Sequence, residues 1–335
     1  MKRAIVPLAI LICASAICLP VVTEETLAQG AIKGDGGTVR VLAGPFATNS
    51  FPPNVIQKFA LDRKYGFTLQ IIYAATTQAQ ATAIQADAAE IGLFDWNDLS
   101  RMKNAGIKVV GIAPFLIWAN TVIVPVDSPL RTMGDLKGKK LGLYSRTNLD
   151  WVVMRTVARK NYGVELEKQA LLQEGAPNLL RGLLEQGQLD ATQMFNSLTP
   201  ALVATGKFRV LATVRQLVGQ LGLPDTPFLM YTAEMNYAAA HPANIKAFLA
   251  AYREAIDILR TNDAVWVDRG KEMKLEGQAL TLFRDEARAD MMSIFGNNTE
   301  ADIRRTFEAL LATAGPAMMG MTQLPDGFMT LEYQR

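Results

Sequence analysis

The chain has 335 residues, of which 50% are hydrophobic and 20% charged, and its formal net charge is +2 at pH 7. This composition can fill packed globular cores and, with no basic block anywhere along it, excludes a nucleic-acid-binding surface. The only cysteines are Cys13 and Cys18, so no disulfide, thiolate metal site or cysteine nucleophile is available further along the chain.

Met1-Lys2-Arg3, the apolar run Ala4–Leu19 and the polar stretch ending Thr26-Leu27-Ala28 have the layout of a secretory signal peptide, with cleavage expected after Ala28. Residues 1–28 are therefore set apart from the fold. The mature chain is expected to start at Gln29 with a flexible lead-in over 29–37, which carries Gly34, Gly36 and Gly37. The apolar run is too short for a membrane span, and no later segment reaches the ~18 uncharged apolar residues that a span needs. Bulky Ile17 ahead of Cys18 argues against lipidation there.

Strand-like and helix-like stretches then alternate, the pattern of βα units around mainly parallel sheets. Strands are predicted at Val39–Gly44, Phe67–Tyr73, Ala89–Phe94 and Ile107–Ile112, with helices at Pro53–Tyr65, Gln78–Ala86 and Asp98–Asn104. Phe67, Leu69 and Ile71 alternate with Thr68 and Gln70, as in a half-buried strand. The extended segment Asn120–Val126 leads to a second set, with strands at Lys140–Tyr144, Gln169–Gln173, Ala191–Phe195 and Arg209–Thr213. Its helices are predicted at Leu149–Tyr162, Pro177–Glu185 and Pro200–Thr205. A further extended piece, Pro227–Thr232, returns to the first set, so two crossings join two lobes and make a hinge. The C-terminal part reads as helices at His241–Thr261, Val265–Lys274, Gln278–Phe295 and Thr299–Thr313, the last opened by a capping box of Thr299 and Asp302. The fold class is α/β, two-lobed, with mainly parallel sheets, flanking helices and two hinge strands. Residues 38–125 are expected to form the first part of lobe 1, 126–225 lobe 2, 226–262 the return to lobe 1, and 263–335 helices and a tail packed on the lobes.

In open α/β sheets ligands bind beyond the carboxyl ends of strands, where helix N-termini gather unpaired N–H groups. In the first lobe that rule selects Phe46, Thr48, Asn49 and Ser50, then Thr76 and Thr77, then Asp95 and Trp96. In the second it selects Ser145, Arg146, Thr147, Asn148, Glu174, Phe195 and Asn196, and Trp118 adjoins the first crossing. Arg146 has the fork geometry to clamp a carboxylate or sulfonate. Asp95 suits either an ammonium or amidine ligand or the N-cap of the next helix. Thr147 and Asp150 fit a capping box at the start of Leu149–Tyr162. Phe46, Trp96 and Phe195 are either pocket walls or core. Helix ends and Arg146 favour an anion, the rings favour an aromatic body, and an aromatic acid satisfies both.

The stretch Ser128-Pro129-Leu130-Arg131-Thr132-Met133-Gly134-Asp135-Leu136-Lys137-Gly138-Lys139-Lys140-Leu141-Gly142 resembles the solute-binding proteins of the sulfonate, nitrate and taurine type, the NMT1/THI5-like and SsuA-like group. Glu90-Ile91-Gly92 matches that family's first-lobe strand, and Gln186-Gly187-Gln188-Leu189-Asp190-Ala191 its Gly-x-x-Asp-Ala pattern. The family's small turn after the first strand of the second lobe stands here as Tyr144-Ser145-Arg146-Thr147-Asn148, a departure that leaves the ligand open. The resemblance implies a type II periplasmic-binding-protein fold. It further implies the periplasmic substrate-binding component of an ABC importer, a monomer whose partners are a small-molecule ligand and an inner-membrane permease.

Enzymes are similar to this chain in outline as well, but desulfinases use a cysteine nucleophile and pyrimidine-precursor synthases a cysteine-rich motif with histidines, and neither set is present. The single histidine, His241, stands in a His-Pro turn. Met318, Met319, Met321 and Met329 read as an apolar tail in preference to a copper site. No catalytic residue, metal or cofactor is expected. The alternatives are a ligand-presenting subunit of a periplasmic sensor and a cysteine-independent enzyme using Asp95 with water.

Overall fold

In a computed structural model the described residues are 32–44, 48–74 and 76–334. The signal peptide expected over 1–28, the start of the lead-in and the candidate Phe46 lie outside them. From the N-terminal side run β1 (Thr38–Ala43), α1 (Phe51–Lys58), the single turn α2 (Leu61–Lys64), β2 (Thr68–Tyr73), α3 (Thr77–Gln85), β3 (Ile91–Asp95), α4 (Trp96–Asn104) and β4 (Val109–Ile117). A second series follows with β5 (Thr121–Pro125), β6 (Lys140–Leu143), α5 (Leu149–Tyr162), α6 (Leu166–Gln169), β7 (Leu171–Glu174), α7 (Pro177–Glu185), β8 (Ala191–Met194), α8 (Thr199–Val203), β9 (Phe208–Thr213) and α9 (Val214–Gln220). β10 (Pro227–Glu234) then precedes α10 (Met235–Ala240), α11 (Pro242–Thr261), α12 (Ala264–Met273), α13 (Gly277–Asp290), α14 (Thr299–Ala314) and α15 (Pro316–Met319).

The strands form two five-stranded sheets, ordered β2-β1-β3-β10-β4 and β7-β6-β8-β5-β9. In the first, β1 pairs parallel with β2 and β3, while β10 pairs antiparallel with β3 and β4. The second repeats the scheme: β6 is parallel to β7 and β8, and β5 antiparallel to β8 and β9. In each sheet the reversed strand is the one that has just crossed from the other, and the remaining four share a direction. The fold is thus the two-lobed, mainly parallel α/β arrangement, with crossings at residues 118–120 and 221–226. The expected first-lobe segment 38–125 ends earlier, because β5 takes its hydrogen bonds from the second sheet.

Local chemistry accounts for the shifted boundaries. The helix predicted from Pro53 starts at Phe51 with both prolines in its first turn, where a missing N–H leaves no bond unmade, and it stops at Lys58 before Ala60, whose φ of 51° is left-handed. β4 extends five residues past its predicted end and is buried throughout. It is an edge strand, so Pro114 is tolerated. That edge is covered by C-terminal segments: Met292 N donates to the Phe115 carbonyl at 2.7 Å and Thr330 N to that of Gly111 at 2.9 Å. Pairing of Met291 with Leu116 also ends α13 at Asp290, short of the predicted Phe295. The capping box of Thr299 and Asp302 does not form, since Asn298 holds the cap position and Thr299 is the first helical residue. α9 has the reciprocal box instead, with Thr213 Oγ1 accepting from Gln216 N at 3.0 Å and Gln216 Oε1 from Thr213 N at 2.9 Å.

One core cluster runs through both lobes, joining Phe94, Trp96 and Leu99 to Leu141, Trp151 and Val152 by way of Trp118 and Phe228. Phe307 of α14 and the tail residues Met319, Met321, Phe328 and Met329 pack into it, so the methionines are core. A second cluster, around Phe51, Trp266 and Phe283, lies under the first sheet, with Ala201 of α8 packed against it. Among the described residues no helix is long and apolar enough to cross a membrane.

Candidate functional site

The carboxyl ends of the parallel strands of both sheets open on one cavity of about 770 Å³. Its first wall includes Thr48 and Asn49 after β1, Thr76 and Thr77 at the start of α3, and Asp95 at the end of β3. Its second includes Ser145, Thr147 and Asn148 after β6, Glu174 at the end of β7, and Phe195 and Asn196 after β8. Eleven of the expected site residues are therefore brought together from two lobes. Among the described residues a direct bond crosses between the walls, from Thr48 Oγ1 to Asn196 Oδ1 at 3.3 Å.

Four expected residues do not line the cavity. Ser50 is fully buried and receives a hydrogen bond from Arg269 Nη2 at 2.7 Å. Trp96 and Trp118 are core, their rings edge to face at 6.3 Å. Arg146 is the most consequential correction. Its Nε donates to Glu174 Oε1 at 2.6 Å, its Nη1 pairs with Glu167, and the side chain, 41% exposed, does not line the cavity. Two carboxylates already hold its fork, so it offers no clamp to an anion.

Three helix starts face the cavity, and each is capped by its own side chain. Thr76 Oγ1 accepts from Ala79 N at 3.1 Å, and Asp95 Oδ1 from Asn97 N at 2.9 Å and Asp98 N at 2.7 Å. At α5 the cap is Asn148, whose Oδ1 accepts from Asp150 N at 3.0 Å. The predicted box of Thr147 and Asp150 is absent because Thr147 turns to Ser145 and the Asp150 carboxylate turns inward. There Asp150 Oδ2 accepts from Asn120 Nδ2 at 2.7 Å and Gln193 Nε2 at 2.9 Å, and Asn120 Oδ1 accepts from Asn196 N at 3.2 Å. A polar chain thus runs from Thr48 across the cleft, through Asn196 and the crossing residue Asn120, to a buried carboxylate. Burial pushes Asp150 up to about 6. It also raises Asp95 and Asp98, with Asp98's charge adding to the effect on Asp95.

Asp98, Arg101, Asn120, Tyr144 and Phe228 line the cavity without having been selected from sequence. Asp98 and Arg101 lie three and six residues beyond the cap Asp95, a helical spacing that marks one face of α4. Asn120 and Phe228 adjoin the two crossings. Among the described residues no group of three or more His, Cys, Asp and Glu is placed to hold a metal. His241 sits on the surface with Nδ1 3.2 Å from Asp35 Oδ2.

Among known proteins, the chain is 26% identical to an aliphatic sulfonates-binding protein of Escherichia coli strain K12, over 47% of this chain and 46% of that one. It therefore spans about half the length of that curated relative. The structure of the alkanesulfonate-binding protein SsuA from Xanthomonas axonopodis pv. citri, bound to MOPS, superposes with a TM-score of 0.71 at 15% identity, covering 89% of this chain and 99% of that one. The desulfurization enzyme DszB superposes with 0.63 at 15% identity, covering 89% and 97%, so this fold houses a binding protein and an enzyme alike. The family model described as NMT1/THI5 like matches residues 63–263. With more than half its length under that model, the chain belongs to the NMT1/THI5-like family.

Proposed function

We propose that this chain is the periplasmic substrate-binding component of an ABC importer. It captures a small organic solute between its lobes and hands it, as a monomer and without chemistry on it, to an inner-membrane permease. The observation that carries this reading is the cavity formed jointly by loops of two sheets, with two crossings as the joint about which one wall can move toward the other. The layout of residues 1–28 supports export to the periplasm. The names of the relatives bring sulfonates to the reading as one class of solute to be offered. Against an enzyme on the same fold stands the residue inventory: no cysteine follows Cys18, and the one histidine is a surface residue.

Small-angle scattering of the full chain with a panel of sulfonates, carboxylates, amines and pyrimidines tests it. A solute that binds is expected to contract the radius of gyration saturably, because closure brings the two walls together. Binding with an unchanged scattering profile, or turnover of the bound solute, would overturn the reading.

A further inference from the structure

The charges that face the cavity are those of a site for a cation. Among the described residues its lining holds three carboxylates, Asp95, Asp98 and Glu174, and a single basic side chain, Arg101. That guanidinium is already committed. Nη2 donates to the Met318 carbonyl at 2.7 Å, Nε to that of Met319 at 3.1 Å, and Nη1 lies 4.0 Å from Asp98. The start of α4, where an anion would meet a positive helix end, carries the Asp95 carboxylate as its cap and Asp98 in its first turn, which offset that partial charge.

The wall from the second lobe adds an independent observation. Tyr144 and Phe195 both line the cavity, half-buried, with ring centroids 5.1 Å apart at a tilt of 59°. Ring faces carry the negative part of the aromatic quadrupole and attract ammonium and guanidinium groups, more strongly when water is excluded. An anion brought here would meet carboxylates and aromatic rings, with the Arg146 fork already held by Glu174 and Glu167.

We infer that the cavity selects a small organic cation, a protonated amine or amidine on an apolar body, with Asp95 and Asp98 receiving the charge and Tyr144 and Phe195 flanking it. This names the solute class of the receptor reading and rests on that reading. Burial raises both carboxyls of the α4 pair, the charge of Asp98 raises Asp95 further, and Arg101 opposes both effects. From the facing wall the charged groups are Glu174 and, behind it, Arg146. A docked cation favours the ionised pair, so binding releases protons and weakens as pH falls through the raised titration range of the pair, above that of an ordinary carboxylate.

The test titrates the full chain calorimetrically with matched series on shared skeletons: butyl-, octyl- and 2-phenylethylammonium against the corresponding sulfonates. The ammonium members are expected to bind with proton release. Asp98→Asn should weaken them by about 10-fold or more, the loss of one charged hydrogen bond. Arg146→Gln, which frees Glu174, should strengthen them. Tighter binding of the sulfonates overturns the inference and leaves the receptor reading standing, as does ammonium binding indifferent to both substitutions. Binding by neither series also overturns the inference, and the receptor reading then stands or falls separately on the scattering panel.

Discussion

Replacing Trp118 with alanine is expected to cost about 3–5 kcal/mol of folding stability, among the largest effects available to a single core substitution. Trp118 is 1% exposed and is the first residue of the first crossing. Its ring lies 4.8 Å from that of Phe228, which follows the second crossing, and its Nε1 donates to Thr226 Oγ1 at 3.2 Å. One side chain therefore fastens the two crossings to each other, and to α4 through Trp96. Alanine removes the indole from the cluster shared by the lobes and strands the fully buried Thr226 hydroxyl. Trp118→Phe keeps a ring and loses the hydrogen bond, for an expected cost of about 1–2 kcal/mol. Urea unfolding of the three proteins measures both values. A loss below about 1 kcal/mol for Trp118→Ala would mean that the crossings do not depend on this contact.

Asp150→Asn is expected to make the protein more stable at neutral pH. The Asp150 carboxyl is fully buried, its Oδ1 has no hydrogen-bond partner among the described residues, and its value is raised from 3.8 to about 6. A raised folded-state value means that folding favours the protonated acid. The stability it contributes is complete below the unfolded value and is lost as pH rises through the folded one. The difference corresponds to roughly 3 kcal/mol between acid and neutral pH. Asparagine cannot ionise, so its advantage over the wild type should grow across that interval and approach this figure at neutral pH. Asp150→Leu removes the acceptor shared by Asn120 and Gln193; Gln193 Nε2 keeps Asn148 Oδ1 at 2.8 Å, while Asn120 Nδ2 loses its bond, and the change should destabilise by about 1–3 kcal/mol. Glu286, raised to about 7, and Asp290, to about 6, also impart pH dependence, but they are common to both proteins and cancel in the difference. Urea midpoints across a pH series decide the matter. Parallel curves for wild type and Asp150→Asn would show that folding does not raise the Asp150 value.

Much of the architecture is legible along the chain because it rests on local chemistry. The end of α5 follows from a left-handed Gly163, while its start, read from Thr147, is capped by Asn148 instead, and the bounds of α7 follow from Pro177 and the turn at Gly187. The two extended segments expected as crossings are legible as extended chain, but they are strands β5 and β10 inside the sheets, and the crossings are the short connections just ahead of them. What escapes is set by distant partners. α13 stops where Met291 joins the edge of β4, a pairing far from it in sequence. The role of Arg146 depends on Glu167 and Glu174, which stand 21 and 28 residues away. A loop position says that a side chain can reach a cleft, and only the packed structure shows that its fork is already held by two carboxylates. Asp98 and Arg101 were missed for a related reason: the strand-end rule selects loops, while these residues line the cavity from the first and second turns of a helix.

The central claim is that the cavity between the lobes is the place where a small solute is held. The most direct test is thermal melting of the wild type and of Ser145→Trp, which puts an indole into the cavity from a partly exposed position on its rim. Both proteins would be screened against the same panel of ammoniums, sulfonates, carboxylates and pyrimidines. The account predicts a saturable rise in melting temperature for the wild type with at least one solute, equivalent to about 2.7 kcal/mol at a hundredfold excess over Kd, and its disappearance in Ser145→Trp. No rise with any solute, or the same rise in the filled-cavity variant, would contradict it.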